Sequence, residues 1–361
     1  MSTDPRAVPA WRQRAAGWER HGGRPRLSVA PMMALTDRHF RRLARLLSRE
    51  VLLYTEMVTA KAVLHGDTAR LLARTPQEGA VVLQLGGSDP AELRAAALAG
   101  AELGYAEVNL NVGCPSDRVR SGRFGACLMA EPTLVGECLA ALADSGLPVS
   151  VKHRIGIDDA DAYEDLLAFV DGVHAASGGV PVAYTVHARK AWLRGLSPKA
   201  NRTVPPLRYE DVHRLKRERP ALTVELNGGV PDVDAALAHL RSVDGVMIGR
   251  AFYEAPVLLA DVDPALTGSA RAVTRRAVVE AMADYAADEA RRGTPLAAIA
   301  KHMLNLFKGV PGGRAWRRAL TEGSHRPGAG PDLLAAALRA VPDDVLDAPL
   351  STVPAGARAA A

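Results

Sequence analysis

The 361-residue chain has no run of about 18 apolar residues, so an α-helical membrane span is not expected. Its first stretch, MSTDPRAVPAWRQRAAGWERHGGRPR, lacks the apolar core of a secretory signal. Cysteine is scarce: Cys114, Cys127 and Cys138 are too widely spaced for a disulfide framework or a zinc site, and a reducing cytoplasm is the expected home. No group of His, Cys, Asp or Glu has metal-ligand spacing, so no metal is expected. No repeat of solenoid type occurs. What remains is the ordinary balance of a globular protein, 48% apolar and 24% charged, and nothing calls for more than one copy, so a monomer is expected.

The net charge of +5 is mild, but its distribution is uneven. Arg189 to Arg219 carries ten Lys and Arg against three acids, and Lys301 to Arg318 carries five and none. Such clusters suit a polyanionic partner, whereas a coding bias toward Arg and Ala would produce them without one.

Short apolar strands alternate with amphipathic helices. The pattern predicts strands at Leu27–Pro31, Leu52–Glu56, Ala80–Leu85, Ala106–Asn111, Val149–His153, Ala183–His187, Leu222–Asn227 and Gly245–Gly249. Helices are predicted at Arg38–Leu47, Pro90–Leu103, Pro132–Ser145, Ala160–Ala176, Tyr209–Glu218 and Pro231–Leu240. Eight such units imply a parallel (β/α)8 TIM barrel spanning 26–264. An open doubly wound sheet is the rival, weakened because no GxGxxG follows the first strand. From 265 to 345 only helices are predicted, at Arg271–Arg292, Pro295–Phe307 and Pro331–Val341, forming a C-terminal all-α domain. On the middle one Lys301, Asn305 and Lys308 share a face. Residues 1–25, a basic extension, and 346–361 have the composition of disordered ends.

A barrel's chemistry sits at the C-terminal ends of its strands. Those ends carry Pro31, Met32 and Met33, then Gln84, then Asn109, Asn111 and Cys114, then Lys152 and Arg154, then His187, Arg189 and Lys190, then Asn227, Gly228 and Gly229, and last Gly249 and Arg250. Glycines on the seventh and eighth strands let backbone N–H groups approach an anion, and Arg250 can fork onto it. Lys152 is costly to bury unpaired, so it holds an anionic or electron-rich ring or forms a Schiff base. Gln84 and Asn109 suit the edge of a heterocycle. Phosphate plus polar ring is what flavin mononucleotide (FMN) requires. Cys127 and Cys138 read as small buried hydrophobes. Cys114, at a strand end before Pro115 and a loop with Arg118, Arg120 and Arg123, is a candidate nucleophile or proton donor.

The stretches SVAPMMALTDRHFRRL, LLYTEMVTAKAVLHGD, VVLQLGGSDP, EVNLNVGCPSDRV, FGACLM, VKHRIGIDD, VHARKAWLRGLSPKANR, LNGGV and DGVMIGRAFY, followed by KHMLNLFKGVPGGRAWRR, resemble the tRNA-dihydrouridine synthases, most closely their A branch. The resemblance implies FMN on the barrel, NADPH (or NADH) as reductant, and reduction of uridines 20 and 20a in the tRNA D-loop. It implies that Pro31, Met32, Met33 and Gln84 meet the flavin, that Lys152 and His187 hold its ring and ribityl region, and that Asn227, Gly228, Gly229, Gly249 and Arg250 hold its phosphate. Cys114 matches the proton donor to C5 after hydride reaches C6. Asn111, Arg189, Lys190, Ala200 and Arg202 match positions that meet tRNA, and the helical domain, with Lys301 and Lys308, is expected to bind tRNA. Departures are small: ALTD stands where DWTD is usual, His153 where a small residue is usual, and Ala200 at a contact position. The remaining rivals are an FMN oxidoreductase of a small enone or pyrimidine, and a non-catalytic RNA-binding protein.

Overall fold

The computed structural model describes residues 26–116, 119, 121–268 and 271–351. The expectations for 1–25, for 352–361 and for Arg118 and Arg120 lie outside these residues. The strands are β1 (Arg26–Val29), β2 (Leu53–Tyr54), β3 (Val58–Thr59), β4 (Val81–Gly86), β5 (Glu107–Val112), β6 (Val149–Arg154), β7 (Val182–His187), β8 (Thr223–Asn227) and β9 (Gly245–Ile248). All pair in parallel, in the order β1-β9-β8-β7-β6-β5-β4-β2. The ring closes where Val29 N donates to Leu52 O and Leu52 N to Leu27 O, each at 2.9 Å. The short β3, which the alternating pattern did not predict, adds to the end of β4. The eight predicted strands are therefore the eight staves of a barrel, and the doubly wound sheet is excluded.

Strand parity decides what each residue does. On β5, Val108, Leu110 and Val112 join the main hydrophobic core with residues of the surrounding helices. Glu107, Asn109 and Asn111 alternate with them and face the interior, where all three are buried. On β6, Ser150, Lys152 and Arg154 climb the same interior, while Val149 and Val151 face the helices. His153 also faces outward, against Phe169 and Tyr184 at ring-centroid distances of 5.0 and 6.1 Å. The unusual residue beside Lys152 therefore leaves the interior untouched.

The barrel is wrapped by α1 (Arg38–Leu47), α2 (Pro90–Glu102), α3 (Pro132–Ala143), α4 (Tyr163–Ala176), α5 (Tyr209–Glu218), α6 (Val233–His239) and the short α7 (Arg250–Glu254). Asp37 caps α1 by accepting from the N–H groups of His39 and Phe40, and Asp89 caps α2 ahead of Pro90. Beyond β9 run α8 (Val262–Thr267), α9 (Arg275–Arg291), α10 (Leu296–Met303), α11 (Gly313–Gly323), α12 (Asp332–Leu338) and α13 (Asp343–Asp347). Among the described residues no helix is long and apolar enough to cross a membrane.

The C-terminal helices seat on α1. Arg38 pairs with the fully buried Glu289 at 2.5 Å, and His39 Nδ1 lies 2.8 Å from the Tyr285 hydroxyl. Asp37 pairs with both Lys301 and His302 at 2.9 Å. Burial works to raise the Asp37 carboxyl, but His302, Lys301 and the Phe40 N–H outweigh it and hold the group well below the carboxylate range.

Three boundaries differ from expectation. The helix predicted at Pro295–Phe307 stops at Met303, so Asn305 and Lys308 do not continue its face. The Met303 carbonyl instead accepts from the Trp316 indole at 3.0 Å and the Leu306 N–H at 3.1 Å, and Phe307 stacks on Trp316 at 4.7 Å. Helix α8 runs across the expected division at 264–265. The chain remains ordered past 346, where Leu346 is buried in α13 and Leu350 N donates to Val273 O at 2.8 Å.

Candidate active site

Two kinds of surface meet at the C-terminal mouth of the barrel. The first is a hydrogen-bonded ladder of side chains from β4, β5 and β6. At its base Arg26 pairs with Glu107 at 3.1 Å, and Glu107 accepts the Ser150 hydroxyl. Asn109 Nδ2 donates to Ser150 Oγ at 2.8 Å, Gln84 Nε2 donates to Asn109 Oδ1 at 2.7 Å, and Asn111 Nδ2 donates to Gln84 Oε1 at 2.8 Å. The top rung, Asn111 Oδ1, accepts from the backbone N–H of Gly113 at 3.2 Å and of Cys114 at 3.0 Å. Each amide orients the next, so the ladder ends by fixing the backbone that carries the thiol.

Cys114 is half-buried, its sulfur 3.5 Å from Ser116 Oγ. Its carbonyl accepts from Ala126 N at 3.0 Å, so the return of the loop is tied to the residue it starts from. Gly125, at φ 74°, is required there: a Cβ would lie 2.6 Å from Cys114 O and 2.3 Å from Val119 Cγ1. Phe124 and Met57 close over the end of β4, within 2.9 Å of where a Cβ on Gly86 would stand. Burial pushes the thiols of Cys127 and Cys138 upward, Cys138 to about 12; Cys138 is the buried small hydrophobe expected, whereas Cys127 is only half-buried.

The second surface is cationic and largely without partners. Lys152 has no hydrogen-bond or ion-pair partner among the described residues. Burial and then Arg154 push its ammonium down to about 7, against the pull of Glu225 and Cys114. Glu225 is already held by Ser28 and Thr185, each at 2.6 Å. His187 Nδ1 is buried and unbonded. Burial, then Arg154, Lys152, Arg189 and Arg250, hold the imidazole well below its ordinary value, so it is neutral. Burial also lowers Arg154, to about 10, and lowers Arg202, with Cys114 opposing both. The thiol and these cations therefore share one mouth.

Gly228 and Gly229 follow β8 at φ 115° and 68°. A Cβ on Gly228 would press on His187 Cε1 and Ala188 N at 3.4 Å, and one on Gly229 would strike Leu207 Cδ1 at 2.6 Å. Tyr209 OH donates to Gly228 O at 2.7 Å, and Asn227 Nδ2 to Met247 O at 2.8 Å, so Asn227 ties β8 to β9. Gly249 opens α7, with Met32 Sδ 3.6 Å from where its Cβ would be. Arg250 is exposed, one N–H 3.4 Å from Arg202 O. Pro31 and Met32 are half-buried and Met33 is 59% exposed at the rim.

The arginine-rich segment is less basic in space than in sequence. Asp161 takes Lys190 and Arg208, Asp171 takes Arg219, Asp244 takes Lys216, Glu210 takes Arg217 and Glu218 takes Arg214. Lys190 also lies 4.2 Å over Trp192. Among the described residues Arg189, Arg194, Lys199 and Arg202 keep no carboxylate partner, and Ala200 sits half-buried among them in a short 3-10 turn. Lys301 reaches Asp37 and the Ala34 carbonyl rather than open solvent alone. Lys308 instead lines a groove of about 670 Å³ with Arg314, Arg317 and Arg318 of α11. Those arginines follow i, i+3, i+4 spacing, a helical pattern the sequence reading did not place there.

The model of the family described as dihydrouridine synthase (Dus) matches residues 28–342. A protein of Synechocystis named tRNA-dihydrouridine(20/20a) synthase is 54% identical over 316 residues, 87% of this chain and 94% of that protein. A protein of the same name from Shewanella oneidensis is 52% identical over 321 residues, 88% and 95% of the two chains. Among solved structures, morphinone reductase in complex with tetrahydroNAD is similar at 14% identity and a TM-score of 0.45, over 64% of this chain and 85% of that one.

Proposed function

The chain belongs to the dihydrouridine synthase family, and from that premise we propose that it reduces the C5=C6 bond of uridines 20 and 20a in the D-loop of tRNA, using FMN and NADPH or NADH. The observation that carries this reading is the unpartnered Lys152 ammonium and the buried, unbonded His187 Nδ1, with Arg154, Arg189, Arg202 and Arg250 at the same mouth. An unpartnered ammonium and a buried orphan imidazole nitrogen are costly unless a ligand completes them.

The residues fit FMN. Gly228, Gly229, Gly249 and Arg250 offer side-chain-free backbone and a guanidinium to the phosphate, and Asn227 fixes the strand beneath them. Lys152 and His187 would hold the ring and ribityl chain. Pro31, Met32, Met33 and Gln84 would line the ring, and Gln84 keeps one amide hydrogen and one lone pair beyond its two ladder bonds. Bound there and reduced by NADPH or NADH, FMN would supply the hydride added at C6 of the uracil.

The protein's own part is to present the base and finish the addition. A uridine must leave its stack to lie in the mouth, which costs a few kcal/mol and less in a looped RNA. Arg189, Arg202 and the α11 groove would supply that energy through phosphate contacts. Lys190 would support this edge by holding its loop rather than by direct charge. Ala200 and Asn111 offer contacts to the RNA and its base, and Lys301 braces the rim. Cys114 Sγ holds the proton delivered to C5, so that two hydrogens are added and the thiolate regains its proton from solvent. The Phe124 side of the loop excludes water while this happens. Such chemistry on tRNA would be carried out in the cytoplasm.

The purified protein, supplied with FMN and NADPH, should convert unmodified tRNA to a product two hydrogens heavier at positions 20 and 20a by mass spectrometry. Flavin-loaded protein that reduces a small enone but leaves tRNA unchanged would overturn the substrate assignment.

A further inference from the structure

We infer that Arg154 is a positioning residue that couples the loop bearing the thiol to the loop running from Arg189 to Arg202. This rests on the reading above, in which Cys114 gives the proton and that second loop meets RNA. Arg154 is the last residue of β6 and only 4% exposed. Its Nε donates to Gly113 O at 3.1 Å, while its Nη1 donates to Lys190 O at 3.1 Å and to Asn201 O at 2.9 Å. One planar guanidinium therefore ties the residue next to Cys114 to both ends of the other loop.

That other loop is a braced unit. Asn201, fully buried, accepts from Trp192 N at 2.8 Å and donates to Trp192 O at 3.0 Å and Leu196 O at 3.3 Å. Lys190 Nζ donates to Asp158 O at 2.9 Å and pairs with Asp161 at 3.4 Å. A displacement of this unit pulls on Lys190 O and Asn201 O together, and Arg154 passes it to Gly113. The opposite face of the thiol's backbone is anchored by Asn111, so the movement is felt as a change in where Cys114 sits. No side-chain acceptor takes an Arg154 hydrogen bond among the described residues: its partners are three backbone carbonyls. The costly burial of a guanidinium is offset here by fixing loops rather than by an ion pair. Lysine, a point charge, cannot make the same fork across both loops.

The test is a double-mutant cycle on FMN-loaded protein, Asn201→Ala and Arg154→Lys singly and together, reading the N-ethylmaleimide alkylation rate of the Cys114 peptide by mass spectrometry. Asn201→Ala, which loosens only the far loop, should change that rate by roughly 3-fold or more, and the change should vanish in the Arg154→Lys background. Arg154→Lys should also lower kcat for dihydrouridine formation by about 10-fold or more at unchanged flavin content. Equal effects of Asn201→Ala with and without Arg154, or no effect at all, overturn the coupling. If Arg154→Lys does not fold, an unaltered Cys114 rate in Asn201→Ala alone overturns it and a changed rate supports it. A wild-type protein that forms no dihydrouridine sinks the activity reading, while the alkylation cycle still decides the coupling.

Discussion

The two sides of the barrel mouth are built on opposite principles. From β4 to β6 the interior amides of Gln84, Asn109 and Asn111 bond one another, and the series runs down to the Arg26–Glu107 pair. From β6 to β9 the interior holds Lys152 without a side-chain partner and His187 with a bare nitrogen, while Arg154, Arg189 and Arg250 crowd the same mouth without a carboxylate among the described residues. The satisfied side is complete without a ligand and serves to place Cys114. On the proposed reading, an anion and a polar ring complete the unsatisfied side. Stability belongs to the first and affinity to the second.

Variants on the two sides should therefore fail in different ways. The largest effect is expected where the sides meet. Cys114→Ala should slow dihydrouridine formation by about 10²–10⁴-fold with flavin content unchanged, as single-turnover tRNA assays would read. On the unsatisfied side, Lys152→Met should weaken flavin binding by roughly 10- to 100-fold in a fluorescence titration, yet raise the melting temperature of the flavin-free protein, because an unpaired charge is removed. A flavin-free variant that melts lower than wild type would break the contrast. The pH dependence has a definite sign. Folded flavin-free protein loses the Lys152 proton near 7, whereas an unfolded chain keeps it to about 10.4, so this residue makes the flavin-free fold gain stability between those values. Flavin affinity should fall over the same rise, and the Lys152→Met protein should show neither trend.

On the satisfied side, Gln84→Ala strands the amides of Asn109 and Asn111 and should cost about 1–3 kcal/mol of folding stability with or without flavin, measurable by urea denaturation. The smallest effect is expected at the α11 groove. Arg314→Glu with Arg318→Glu should lower the salt-dependence slope of tRNA binding by about 1–2 while NADPH-driven flavin reduction stays unchanged. Equal losses in both assays would remove the α11 groove from the RNA account.

The barrel was legible because its outward faces alternate with polar ones at period two, as in Val108, Leu110 and Val112. Strand-end placement was legible because position on a barrel assigns it: Cys114, Lys152, His187 and Arg250 do converge on one mouth. The ladder was not. Glu107, Ser150 and Glu225 look like ordinary solvent-facing alternates until the sheet closes and turns them inward. The available signal was parity, since Glu107 and Asn109 share the face of Asn111. Arg154 stood out as a strand-end residue, but three carbonyls distant in sequence give no pattern to read. The end of α10 was hidden because Leu304 and Phe307 continue an apolar stripe, while the Trp316 indole that captures the Met303 carbonyl is thirteen residues ahead. The basic surplus at 189–219 misled by ignoring Asp161, Asp171 and Asp244, which the fold brings across from other elements.

The most direct measurement is a calorimetric titration of the flavin-free protein with FMN and, separately, with riboflavin, which lacks the phosphate. If the glycine turns after β8 and β9 and Arg250 are an anion cradle serving the unsatisfied side, FMN should bind about 100-fold tighter or more, about 2.7 kcal/mol. Equal affinities for the two, or no binding of either, would contradict the assignment of the mouth.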